Sequence, residues 1–164
     1  MRLSEHPFLK PYVGKPAILD SNLVLLDWCI RFDPLLAGSF KRLSSFEGDD
    51  FNLLRETLKL FPLLRTTPHV LTEVSNLTNS LPGWRKEGWS EHFARQIEVI
   101  SEEWIPASTV TDSPFLRLGL TDAALAVLAS THVILTIDFP LSGSLQSQGL
   151  NAINFASLRN SLLV

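Results

Sequence analysis

Four acidic side chains are the residues in this sequence whose types and positions best suit chemistry: Asp20, Glu73, Asp122 and Asp138. Asp20 and Asp138 each follow a short apolar run typical of a buried strand, whereas Glu73 and Asp122 lie early in predicted helices. Carboxylates brought together repel one another unless a cation lies among them. Oxygen ligands alone favour hard cations such as Mg²⁺ or Mn²⁺ over zinc. The four acids therefore indicate a divalent-metal site, provided that the fold gathers them.

A fold in which strands and helices alternate along the chain would gather the four acids. The pattern predicts strands over residues 15–19, 63–66, 105–108, 133–136 and 151–155. It predicts helices over residues 22–32, 51–61, 68–77, 122–130 and 140–149, and one that Ser90 caps, with Phe93, Ile97, Ile100 and Trp104 as a buried stripe. Asp49 or Asp50 is the predicted N-cap of the second helix, and Thr121 that of residues 122–130. This order predicts an α/β fold with a mainly parallel sheet covered on both faces.

The carboxyl ends of parallel strands form the edge where such sheets bind ligands. Asp20, Glu73 and Asp138 share that edge in this interpretation, and Asp122 could join them.

Composition limits the class of protein. The 164 residues with 45% hydrophobic content suit one globular domain. A formal net charge of -3 argues against a broad basic face that holds duplex nucleic acid. The sequence lacks an apolar run of the roughly 18 to 20 residues that span a bilayer, and it lacks a secretory signal pattern, so we expect a soluble, cytoplasmic protein without membrane contact. Cys29 is the single cysteine and is predicted to be buried.

Four segments together resemble the PIN-domain ribonucleases, a family that includes VapC-type toxins. They are AILDSNLVL, TPHVLTEVSNL, LGLTDAALAVLAS and VILTIDFPL, which carry the four acids in the family's order between about Pro16 and Phe155. The resemblance implies a PIN-like three-layer α/β/α sandwich with a central, mainly parallel sheet of four to five strands. It places the whole chain, 1–164, in a single domain with an extended helical insertion at about 33–65.

The resemblance also implies a site. Asp20, Glu73, Asp122 and Asp138 would bind one or two Mg²⁺ or Mn²⁺ ions and act as catalytic residues. Asn22 and Thr136 match polar positions that flank the site in the family, and Asn76 shares a helical face with Glu73, so these three would orient the acids through hydrogen bonds. A metal held by carboxylates lowers the pKa of a coordinated water, which predicts in-line hydrolysis of RNA that leaves 5′ phosphate and 3′ hydroxyl ends. The predicted activity is that of an endoribonuclease. The resemblance to VapC-type toxins adds three further expectations: a role as the toxin of a toxin–antitoxin pair, an antitoxin partner and a homodimer.

Two alternatives remain beside this prediction. One is a PIN-like scaffold that has lost catalysis and binds RNA or protein. The other is a different carboxylate-based α/β phosphotransfer fold, but Asp20-Ser21-Asn22 lacks the paired acid that a haloacid-dehalogenase phosphatase needs.

Aromatic and basic residues mix at two places. Trp84, Arg85 and Lys86 lie in a predicted loop, and Lys41 and Arg42 lie between two phenylalanines. Such residues stack bases and bind phosphates, but they suit contact with an antitoxin or a second subunit equally well. The four histidines are scattered and show no ligand spacing.

Overall fold

The computed structural model describes residues 2–162, which fold as an α/β structure. The strands are β1 (Ala17–Leu19), β2 (Leu64–Thr66), β3 (Ser101–Glu102), β4 (Val133–Thr136) and β5 (Ala152–Asn154). The helices are α1 (Ser21–Phe32), α2 (Pro34–Ser39), α3 (Gly48–Leu58), α4 (Pro68–Leu77), α5 (Gly83–Val99), α6 (Leu120–Leu128), α7 (Phe139–Ser147) and α8 (Phe155–Leu162). Short 3₁₀ turns join several of them.

The five strands form one parallel sheet in the order β3-β2-β1-β4-β5. The chain therefore moves outward from β1 to β2 and β3, then crosses back to β4 and β5. Right-handed crossovers in opposite directions place their helices on opposite faces of a sheet. The arrangement is consistent with a three-layer sandwich, and the predicted α/β class with a parallel sheet of four to five strands is confirmed.

The two central strands are apolar because both faces of the sheet are covered. Every residue of β1 and β4 is buried, and Ile18, Ile134 and Leu135 are fully inaccessible to solvent. Their backbones pair in register, with Leu19 opposite Leu135. The chain leaves β1 toward β2 on one side and leaves β4 toward β5 on the other. The place beyond the carboxyl ends of β1 and β4 is therefore a topological switch point, where parallel sheets commonly bind ligands.

Polar caps start the helices that return from this edge. Asp20 is the N-cap of α1, Thr67 that of α4, and Asp138 that of α7. The Thr67 hydroxyl accepts the Val70 amide at 3.2 Å, and Pro68 begins the helix, as its missing N–H allows.

The predictions around α5 were wrong in three respects. The helix begins at Gly83 instead of after Ser90, so the loop predicted at residues 84–86 is helical. Contacts with the end of α1 hold the earlier turns of the helix: Trp89 packs edge-on against Phe32, and Arg85 in the first turn forms an ion pair with Asp33. Trp104 lies beyond the helix and is 74% exposed, so it is not part of the core. The strand predicted at 105–108 is also absent, because Pro106 has no amide hydrogen to donate to a neighbouring strand. The pairing with β2 occurs four residues earlier, in β3.

Two predicted helix starts are also corrected. Gly119, with φ of 136°, precedes α6, so Thr121 lies inside the first turn and is not the N-cap. Glu47 is the N-cap of α3, and Asp50 accepts the Glu47 amide at 2.9 Å. Residues 33–65 hold α2, a 3₁₀ turn, α3 and the start of β2, so this stretch is largely helical. The sequence pattern did not predict α8.

Within residues 2–162, the helices fall short of the length and apolar character needed to cross a membrane.

Candidate functional site

The switch point between β1 and β4 holds the first and last of the four acids. Asp20 directly follows β1, and its amide donates to the Leu135 carbonyl of β4 at 2.8 Å. Asp138 follows β4 after one intervening residue. The hydroxyl of Thr136, the last residue of β4, donates to Asp20 Oδ2 at 2.6 Å and accepts the Asp138 amide at 3.0 Å. Thr136 thus holds both acids at the same edge of the sheet.

Asp20 is nearly buried, with 5% of its surface exposed. Burial raises the pKa of its carboxyl above the ordinary value, and the hydrogen bonds from Thr136 and from the Ser21 amide oppose that rise. The negative charges of Glu73 and Asp138 raise the pKa further. Burial and the neighbouring negative charges thus disfavour the ionised form of Asp20, and no described basic residue forms an ion pair with it.

Hydroxyl groups from two helices hold Glu73, which lies on α4. The Ser21 hydroxyl donates to Glu73 Oε2 at 2.7 Å, and the Thr121 hydroxyl donates to Glu73 Oε1 at 2.6 Å. The Ser21 hydroxyl also lies 3.4 Å from Asp20 Oδ1. An alternating row of hydroxyls and carboxylates thus runs from Thr136 through Asp20, Ser21 and Glu73 to Thr121.

Asp122 completes the group from the first turn of α6. Burial, followed by the negative charges of Asp20, Asp138 and Glu73, raises its carboxyl pKa to about 7. No described residue donates a hydrogen bond to the Asp122 side chain. The negative charges of the other three acids thus affect the pKa of Asp122, and those of Glu73 and Asp138 affect the pKa of Asp20.

Positive charge is missing from this cluster. Within residues 2–162, no Lys, Arg or His forms an ion pair with any of the four acids. Buried acids elsewhere are paired: Asp27 with Arg31 at 3.0 Å, and Asp50 with Arg159 at 2.9 Å. Buried acids require such compensation or a pKa shifted toward the neutral form, and a cation bound among these acids would supply the compensation.

The donor set fits a hard divalent cation in its chemistry. Both side-chain oxygens of Asp122, and Oδ2 of Asp138, accept no hydrogen bond from a described residue. Each oxygen of Glu73 accepts one hydrogen bond, which leaves it a second lone pair. Oxygen ligands of this kind bind Mg²⁺ or Mn²⁺. As the side chains are placed, however, no three His, Cys, Asp or Glu residues between 2 and 162 are grouped closely enough to hold a metal ion. The acids share one crevice without forming a closed set of ligands.

The residues predicted to support the acids differ in position. Thr136 is fully buried against Asp20. Asn22 is half-buried and Asn76 is exposed, and neither side chain makes a hydrogen bond to a described residue. Sequence reasoning missed Ser21 and Thr121. Each of these hydroxyl residues is adjacent to one of the four acids, and that pattern was a signal that could have identified them.

The two predicted RNA or partner contacts come together in one groove. Lys41 and Arg42 line it from a 3₁₀ turn, and Trp84 and Arg85 line it from the first turn of α5, around a volume of about 830 Å³. Lys86 is exposed and lies outside this lining.

The groove lies far from the acids. Arg85 lies over the Trp84 ring at 4.4 Å and forms an ion pair with Asp33, the C-cap of α1. Asp20 caps the other end of that helix, about 20 Å away at 1.5 Å per residue. The groove and the acidic cluster are therefore separate surfaces.

Searches against family models, curated proteins and solved structures found no significant match to the chain. Because a fold alone does not define an activity, the function rests on the chemistry of the site residues.

Proposed function

We propose that this chain is a PIN-like, Mg²⁺- or Mn²⁺-dependent endoribonuclease whose metal ligands and catalytic residues are Asp20, Glu73, Asp122 and Asp138. One observation carries the proposal: four carboxylates interact at the switch point of a parallel sheet without a compensating base among residues 2–162. A site of this charge attracts a divalent cation, and a cation there attracts a phosphodiester.

The reaction class follows from that charge pattern and from the sequence resemblance. A phosphodiester is an anion and would be repelled by the acidic cluster alone. With the charge neutralised, the same crevice becomes a place where a phosphate can lie beside several carboxylates. RNA is the substrate that the resemblance to PIN-domain ribonucleases supports, and hydrolysis to 5′ phosphate and 3′ hydroxyl ends is the expected outcome.

The chain's own residues orient the site. Thr136 and Ser21 fix Asp20, and Ser21 and Thr121 fix Glu73, so these two acids present defined oxygen atoms to the crevice. Asp138 is held through its Oδ1 by the Leu141 amide, which leaves Oδ2 free to face the crevice. When bound, a divalent cation supplies a water of lowered pKa and stabilises negative charge that develops on the phosphate.

A non-catalytic binding module is the second candidate function, and the groove of Lys41, Arg42, Trp84 and Arg85 favours it. An exposed tryptophan beside basic side chains can stack a base and bind phosphates without any catalytic group. Trp84 is 75% exposed, and Lys41 and Arg42 form no ion pair with residues in the described range. In this alternative, RNA binds in the groove and remains intact.

We further propose a cytoplasmic homodimer and, if the chain is a toxin, a cognate antitoxin. Exposed large apolar side chains, among them Leu35, Val99 and Trp104, give such partners a surface to cover.

An RNA cleavage assay tests the proposal against the binding module. End-labelled single-stranded RNA is incubated with the protein in Mg²⁺ or Mn²⁺, and again in EDTA. We expect cleavage only with metal, a rate lower by orders of magnitude for Asp122→Asn, and an unchanged rate for the exposed control Asp112→Asn. Cleavage in EDTA, or full activity of Asp122→Asn, would overturn the mechanism. RNA that stays intact in both Mg²⁺ and Mn²⁺ would favour the non-catalytic binding module.

A further inference from the structure

A cavity of about 300 Å³ lies between the N-terminal segment and the α7–β5 unit. Its walls combine aromatic rings with polar edges. The rings belong to Phe8, Tyr12 and Phe139, and the polar side chains include Ser142, Gln146 and Asn154. Ligand pockets of this size, with apolar walls and a few polar groups, are typical small-molecule sites.

The N-terminal segment is held firmly enough to serve as a wall. Leu9 is buried in the core with 1% of its surface exposed, and His6 is buried with its Nε2 at 3.2 Å from the Ser161 hydroxyl of α8. The Gly14 amide donates to the Leu60 carbonyl at 3.3 Å. These contacts place Phe8 and Tyr12 opposite α7.

The rings remain available to a ligand. Phe8 is 46% exposed and Phe139 is 60% exposed, although both line the same cavity. Large apolar groups in that state offer faces on which a flat ring can stack.

The polar edge of the cavity has capacity for hydrogen bonds. The Gln146 amide nitrogen donates to the Ala152 carbonyl at 3.0 Å, which orients the side chain. Its carbonyl oxygen has no partner among the described residues and can accept a hydrogen bond. The Asn154 amide nitrogen donates to the Ser142 hydroxyl at 3.0 Å and has a second hydrogen to donate.

The cavity adjoins the proposed active site through two elements. Phe139 directly follows Asp138, and the Ser142 hydroxyl donates to the Asp138 carbonyl at 2.8 Å. Asn154 ends β5 and pairs with Thr136, whose hydroxyl holds Asp20. Neighbouring strands lie about 4.8 Å apart, so the cavity begins one strand away from the acids.

We propose that this cavity binds one unpaired nucleobase of a single-stranded RNA, stacked on Phe139 and Phe8 with its polar edge toward Gln146 and Asn154. The inference rests on the proposed ribonuclease function, because it places the base next to the phosphate at the acidic crevice. The base must be unpaired, since a paired base has no free face to stack on a side chain.

Gly143 provides a way to fill the cavity without disturbing the fold. It lies on α7, lines the cavity and has no atom within 4 Å of an added Cβ. Gly38 on α2 is an equally open helical glycine outside the cavity, so Gly38→Leu is the matched control for Gly143→Leu. Leucine is a better helix former than glycine, so both variants should fold.

The experiment measures binding of the four RNA homotetramers to ¹⁵N-labelled protein in EDTA, where cleavage does not interfere, and at high salt, which screens the repulsion between the acids and the phosphates. We expect shifts of the Gln146 and Asn154 side-chain amide signals with at least one tetramer. Affinity should fall at least about fivefold in Gly143→Leu and in Phe139→Ala, because stacking of one base is worth about 1 kcal/mol or more. Gly38→Leu should bind like wild type.

Two results would overturn the inference: amide signals of Gln146 and Asn154 that no tetramer shifts, or equal affinity in wild type and Gly143→Leu. The cleavage assay with metal tests the ribonuclease proposal separately from the base cavity. RNA that binds in the cavity but is never cleaved with metal contradicts the ribonuclease proposal and leaves the base pocket standing. Cleavage that Gly143→Leu leaves unchanged in rate and base preference contradicts the pocket and leaves the ribonuclease proposal standing.

Discussion

The hydroxyl of Thr121 on α6 donates to Glu73 Oε1 on α4 at 2.6 Å, although the two residues are 48 positions apart in the sequence. With Ser21 on the other oxygen of Glu73, this contact fixes both carboxylate oxygens of the second acid. It also connects the element that carries Glu73 to the one that carries Asp122. Thr121 is therefore a positioning residue for the proposed metal site.

Replacement of Thr121 by valine should weaken metal binding without unfolding the protein. Valine keeps the shape of threonine but removes the donor to Glu73, and loss of such a supporting hydrogen bond typically costs about 10- to 100-fold in metal affinity. We expect the affinity for Mn²⁺ to fall by that factor in Thr121→Val and to return in Thr121→Ser, which restores the hydroxyl. Equal affinities in all three proteins would show that the contact has only a structural role.

Asp122 should make the metal-free protein less stable as the pH rises. Its pKa is raised from 3.8 to about 7 in the folded state, so between these values the folded chain binds more protons than the unfolded chain. The contribution of Asp122 to the free energy of unfolding is therefore largest at low pH and decreases as the pH rises toward about 7.

Thermal melts in EDTA at pH 5 and pH 8 measure this contribution. Asp122→Asn should melt higher than wild type at pH 8, and the difference should shrink at pH 5. Asp112→Asn, an exposed control, should follow wild type at both values. A pH-independent difference between Asp122→Asn and wild type would exclude the raised pKa.

The order of strands and helices around the acids was predictable because each element carries a strong local signal. Val133–Thr136 is a continuous apolar run, and Thr67-Pro68 marks a helix start through the cap and the fixed φ of proline. These signals place Asp20, Glu73 and Asp138 at the carboxyl edge of a parallel sheet. Asp122 was predicted on its helix as well, although the start of that helix was misplaced by two residues.

The remaining features depend on contacts between distant parts of the chain, which a local pattern cannot show. The first turns of α5 depend on Arg85 pairing with Asp33 and on Trp89 packing against Phe32. The exposure of Trp104 depends on where the short edge strand β3 ends. Ser21 and Thr121 gained their roles only when α1, α4 and α6 met around Glu73. The cavity beside Phe139 needs the N-terminal segment, which has no periodic pattern of its own.

Asp138→Asn should raise the melting temperature in EDTA. Asparagine is as good an N-cap as aspartate, so the hydrogen bond from the Leu141 amide survives while one repulsive charge disappears. Metal at tenfold excess over its dissociation constant should stabilise wild type by about 1.4 kcal/mol and the variant much less. Asp20→Asn is a poorer test, because Asp20 accepts hydrogen bonds on both oxygens and asparagine offers only one acceptor.

Differential scanning calorimetry with and without Mg²⁺ checks this prediction. If Asp138→Asn melts lower than wild type in EDTA and both gain equally from Mg²⁺, Asp138 is an ordinary cap outside any metal site.

Calorimetric titration of the metal-free protein with Mn²⁺ at pH 8 tests the central claim most directly, because it measures the proposed cation at the proposed ligands without requiring a substrate. At this pH, Asp122 is mostly charged, and Asp122→Asn removes that charge without breaking a hydrogen bond among the described residues. We predict saturable binding of one or two ions to wild type and to Asp112→Asn, and binding at least tenfold weaker to Asp122→Asn. Absence of saturable binding to wild type, or equal binding by wild type and Asp122→Asn, would contradict a metal site built from these four acids.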